Sequence, residues 1–115
     1  MSASELKERL RADLKAPMRE RRSDNVGVIR TLIAAIDHAE AVPLEGFAER
    51  LRMRASGDPI GEVARRELDA PALEAILAAE ADSRLFAAED YERNGRGADA
   101  ARLREEAELI GQYRA

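Results

Sequence analysis

The sequence predicts an all-α fold, a multihelical bundle that ends in a long helical hairpin. Three observations carry that expectation. Apolar residues recur at helical spacings of three and four, and no alternating strand pattern interrupts them. Two periodic runs in the last third, Leu73 to Tyr91 and Ala101 to Tyr113, are separated only by Gly95-Arg96, so the second must fold back on the first. Alanines are abundant and aromatics number four (Phe47, Phe86, Tyr91, Tyr113), a composition for closely approaching helices that each bury modest area.

The elements follow in chain order. Ser2 followed by Glu5 fits a capping box, and Leu6, Leu10, Leu14 and Met18 then repeat at i+4, giving a first helix over roughly 4 to 21. Pro17 removes one backbone hydrogen bond and crowds the preceding turn, so a kink or early end is expected near Ala16. Ser23 or Asp24 can cap a second helix with two adjacent apolar stripes: Val26, Ile29, Ile33 and Ile36, then Val28, Leu32, Ala35 and Ala39. So wide an apolar face predicts the central helix of the bundle, stopping before Pro43. Gly46, Gly57, Asp58-Pro59 and Gly61 then punctuate a connection over 43–64, with a short helix expected near Phe47 to Met53. Asp69 is placed as an N-cap with Pro71 in the first turn, and the third helix runs to about Asn94, where Gly95 supplies a left-handed stop. In the fourth, Ala100, Leu103, Ala107 and Ile110 form the seam of an antiparallel pair.

At 115 residues the chain is expected to form one domain. It contains no cysteine, which removes thiolate and disulfide chemistry, and no apolar run approaches the ~20 residues of a membrane span. The expected setting is soluble and cytoplasmic. The formal charge is −4, with eight Lys/Arg against five Asp/Glu in residues 1–30 and eleven against eighteen in the remainder. A net acidic chain does not carry the concentrated positive charge that phosphate neutralisation requires, so any RNA contact should be local to the basic end.

No HExxH, Gly-rich phosphate loop, Cys/His pair or GxSxG elbow is present, and no catalytic, cofactor-binding or metal-ligating residue is assigned. His38 lies beside Asp37 and Glu40, but neighbouring helix positions diverge and one histidine lacks the ligand set of a metal site. Glu80 and Arg84 are i,i+4 partners close to the apolar stripe of the third helix. Their placement fits an ion pair at a partly buried helix interface, with Arg84 or Arg30 as the cation. Glu105, Glu106 and Glu108 read as the solvated face of the fourth helix. Adjacent Leu85 and Phe86 offer an apolar contact for a partner protein or a second copy.

Several residues, in order, resemble the GatB/YqeY-like family, whose members share a helical motif with the tail of the B subunit of the tRNA-dependent amidotransferase. They are Leu10, Asp13-Leu14-Lys15, Met18-Arg19, Val28-Ile29-Arg30-Thr31-Leu32, Ala34-Ala35-Ile36, Arg65 to Leu68, Leu77, Glu80, Arg84, Ala88, Tyr91, Gly95-Arg96, Ala101, Glu105-Glu106 and Leu109 to Tyr113. The resemblance implies an N-terminal helical domain over 1–115, a short form without the family's C-terminal three-helix domain. Pro17 and the glycine-containing 43–64 connection depart from the family pattern. The family is filed under carbon–nitrogen ligase activity with glutamine as amide donor. That association comes through the amidotransferase, whose active site lies in another domain, so the resemblance transfers no catalytic residue. It implies instead a binding module for tRNA or a tRNA-handling enzyme, with Arg19, Arg22, Arg30 and Arg96 as the contact residues. The alternative is a protein-interaction or self-associating module without an RNA role.

Overall fold

The computed structural model describes residues 1–20, 23–41 and 67–114, without the side chains of 16–20 and 23–24. Four helices fill the described residues: α1 (Ala3–Glu20), α2 (Ser23–Ala41), α3 (Ala70–Arg93) and α4 (Gly97–Gly111). No strand occurs among them, so the fold is all-α. None of these helices is long and apolar enough to cross a membrane. The short helix expected near Phe47 to Met53 lies outside the described residues.

Helix α1 opens as its sequence dictates, with the Ser2 hydroxyl accepting a hydrogen bond from the Glu5 amide at 3.1 Å. It continues through Pro17 to Glu20, close to the expected range of 4 to 21, so of the two effects expected of Pro17 the early end near Ala16 does not occur. A proline costs the ladder one donor, and the fourteen residues from Ala3 to Ala16 already hold the helix before that donor is lost. Helix α2 stops at Ala41, two residues before Pro43. The carboxylate of Asp69 accepts from the Ala72 amide at 2.8 Å at the head of α3, and Pro71 occupies the first turn, where its missing amide would be unpaired anyway. At the other end Gly95 adopts φ +75°, a conformation that strains any side chain with a Cβ, and the chain reverses into α4.

The helices form two antiparallel pairs. Lys7 near the start of α1 reaches Asp37 and Glu40 at the end of α2. Arg84 in α3 meets Glu106 in α4, while Glu74 near the head of α3 meets Arg114 beyond the end of α4. The core lies where the pairs cross. It joins Leu6 and Leu10 of α1, Val28, Ile29, Leu32 and Ile36 of α2, Leu73, Leu77 and Ala81 of α3, and Ala107, Ile110 and Tyr113 of α4. Helix α2 touches each of the other three, as its wide apolar face predicts.

Beyond Ala81 and Ala107 the core stops, and α3 and α4 continue as a two-helix arm. Ala88 and Ala100 are buried in that arm but lie outside the core cluster. Small residues at both positions let the helices approach closely, so the arm stays zipped without help from α1 or α2.

Candidate functional site

The titratable side chains of the core region are committed to one another. Lys7 donates to Asp37 at 3.0 Å and to Glu40 at 2.6 Å, and these two carboxylates hold its ammonium above the usual lysine range. His38, between them in sequence, is exposed. An open cavity of about 540 Å³ beside this cluster is lined by Ser2, Ser4, Glu40, Glu67 and Asp69. Among the described residues no group of three or more His, Asp or Glu side chains is placed to hold a metal ion.

At the junction of α1 and α4 the Tyr113 hydroxyl donates to Asp13 at 2.7 Å, and Arg9 donates to the Gln112 carbonyl at 3.1 Å while its guanidinium lies 4.7 Å from the centre of the Tyr113 ring. Burial, then the hydrogen bond to Asp13, push the Tyr113 phenol well above its ordinary value of 10.0. Because the raised value belongs to the folded state, this stabilisation is complete below pH 10.0 and fades as pH climbs beyond it. Denaturant titrations of the wild type and Tyr113→Phe at neutral and strongly alkaline pH should show it. The variant should lose about 1 kcal/mol at neutral pH and have a shallower alkaline decline than wild type. Parallel alkaline slopes would count against the phenol as their source.

Glu80 and Arg84 lie where the arm leaves the core. Arg84 Nη1 donates to Glu80 Oε2 at 2.9 Å and to the Glu80 carbonyl at 3.0 Å, while its Nε donates to Glu106 Oε1 at 3.0 Å. Only 14% of the Arg84 side chain is exposed. Glu106 is thus drawn out of the expected solvated face, because α4 presents it to Arg84, whereas Glu105 and Glu108 are exposed as expected. Arg30, the other candidate cation, sits exposed on α2.

The remaining RNA-contact candidates are Arg19, Arg22 and Arg96. The side chain of Arg19, and Arg22 altogether, lie outside the described residues. Arg96 stands immediately before α4 without a side-chain capping hydrogen bond, pairs with Asp99 at 2.8 Å and covers the Tyr91 ring at 4.6 Å. Its neighbours at the tip are matched too: Arg93 pairs with Asp90, Arg104 with Glu92, and Arg102 with Asp99. The tip therefore presents four arginines interleaved with Asp90, Glu92 and Asp99 rather than an uninterrupted positive patch.

Leu85 and Phe86 are the large apolar residues that the arm leaves in water, 44% and 69% exposed. Adjacent positions on a helix diverge by about 100°, so the two flank one line along the helix rather than lie on it together. With Ala81, Arg84 and Ala88 turned to the seam, Phe86 points away from α4 and Leu85 borders it. Comparison of the chain with models of protein families, with curated proteins and with solved structures finds no match.

Proposed function

We propose that this chain is a non-catalytic helical binding module of the amidotransferase-tail type, and that it engages a protein partner through the outer surface of the α3–α4 arm. The observation that carries this reading is Phe86. A large ring 69% exposed on a rigid helix is a poor use of apolar surface unless something covers it, and the seam behind it is already filled by Ala88, Ala100 and the Arg84 ion pairs. A tRNA-handling enzyme is the partner that the family resemblance implies.

The second reading, direct tRNA contact through Arg19, Arg22, Arg30 and Arg96, draws support from the exposure of Arg30 and the basic balance of residues 1–30. Against it stands the charge matching at the tip. Capture of the tagged chain from native lysate at low salt separates the two. A retained protein that survives ribonuclease and is lost with Phe86→Ala is the expected result. Enriched tRNA whose affinity drops steeply between about 50 and about 200 mM salt, and disappears with Arg19→Glu/Arg22→Glu, would replace it with the RNA reading.

A further inference from the structure

Helix α3 carries six carboxylates against two arginines, and one of those arginines, Arg84, faces the seam. On its exposed side four residues form a diamond. Leu85 and Phe86 occupy the middle, with Asp82 one turn before them and Glu89 one turn after, each three and four positions from the apolar pair. All four are exposed. The nearby Asp90 is neutralised by Arg93, but among the described residues neither Asp82 nor Glu89 makes an ion pair.

We propose that this diamond is a docking site for a basic amphipathic helix of a partner protein, its apolar side chains covering Leu85 and Phe86 and its cations meeting Asp82 and Glu89. The proposal deepens the protein-binding reading and rests on it. Charge selects the occupant. A second copy of α3 laid antiparallel over the diamond would set Asp82 against Glu89 of its partner at both ends, so like charges would face each other wherever the apolar residues met. A basic helix turns both contacts attractive. Seven residues separate the carboxylates, about 10 Å along the axis, so the matching helix places Lys or Arg at i and i+7 with Leu, Ile or Phe at i+3 and i+4. Two exposed carboxylates contribute mainly selectivity and encounter rate, while the aromatic ring supplies most of the affinity.

The probe is a fluorescein-labelled helical peptide with Arg at i and i+7 and Leu at i+3 and i+4, titrated with the intact chain by anisotropy. A matched peptide with Glu in place of both Arg serves as the comparison. Saturable binding of the basic peptide, at least about tenfold weaker for Phe86→Ala, is expected. Asp82→Lys/Glu89→Lys should reverse the preference toward the acidic peptide. These positions are exposed, and circular dichroism should report unchanged helicity in every variant. Equal affinity for both peptides, or binding indifferent to Phe86, would overturn the proposal, as would a Phe86-dependent dimer in sedimentation. If the captured protein depends on Phe86 but not on Asp82 and Glu89, the charge-selected site fails while the binding-module reading stands. If nothing captured depends on Phe86, that reading fails first.

Discussion

Replacing Leu32 by alanine should lower the free energy of unfolding by about 3 kcal/mol, the largest effect expected of any single substitution considered for this chain. Leu32 is fully buried near the middle of α2, the helix that touches α1, α3 and α4. Truncation removes the apolar area that the leucine withdraws from water and leaves a void walled by several helices, which cannot all relax toward it at once. Thr31, its neighbour in sequence, is exposed and donates only to the Gly27 carbonyl one turn back. Thr31→Ala should therefore change stability by no more than about 0.5 kcal/mol. Urea denaturation of both variants by far-ultraviolet circular dichroism tests the contrast. A loss below about 1 kcal/mol for Leu32→Ala would remove α2 from the centre of the bundle.

The second large effect should come from Arg84→Met. The guanidinium answers two carboxylates from two helices, and the Glu80 and Glu106 side chains are themselves only 28% and 21% exposed. Without it the two glutamates face one another in a partly desolvated seam. Breaking a fully buried pair costs about 3–5 kcal/mol; the residual exposure here reduces the expected loss to about 1–2 kcal/mol. The loss should be recovered in part when Glu106→Met is added, because an apolar pair suits that seam better than an orphaned charge. Stability measurements on both single variants and the double give the coupling directly. A double variant as unstable as the sum of its singles would mean that Arg84 and Glu106 do not act as a pair.

Both expectations bear on function, since the arm that presents Phe86 extends past the core. Its rigidity rests on the Ala88 and Ala100 contacts and on the Arg84 cluster. A loosened arm would spread Leu85, Phe86, Asp82 and Glu89 over many arrangements, and a partner would have to select one of them at a cost in affinity. Arg84→Met should therefore weaken partner binding even though Arg84 itself faces inward.

The periodic apolar positions of α2 announce its central place, since two stripes side by side require neighbours on more than one side. Asp69, Pro71 and Gly95 mark the ends of α3 for equally local reasons: an oxygen for an orphan amide, a ring that needs no amide, and a residue free of a Cβ. Pro17 allows an early end near Ala16 that the helix does not take, because a proline's cost is local, whereas a helix ends only when the whole segment gains more by leaving it. Glu106 shows the opposite difficulty. Its sequence surroundings match those of Glu105 and Glu108, and only the placement of Arg84 on the neighbouring helix distinguishes it.

The sequence by itself determined the local structure: helix type, most termini, the reversal at Gly95 and which stripes must be apolar. These depend on backbone hydrogen bonding, steric freedom and periodicity within one or two turns, all properties of short segments. The tertiary structure alone decided which distant groups meet. Lys7 with Asp37 and Glu40, Arg9 and Asp13 with Tyr113, and Arg84 with Glu106 are separated by between 22 and 104 residues in the chain. That Leu85 and Phe86 offer an apolar contact is already expected from the sequence; the tertiary structure decided how they divide, Phe86 pointing away from α4 and Leu85 bordering it, because only the position of the neighbouring helix fixes that.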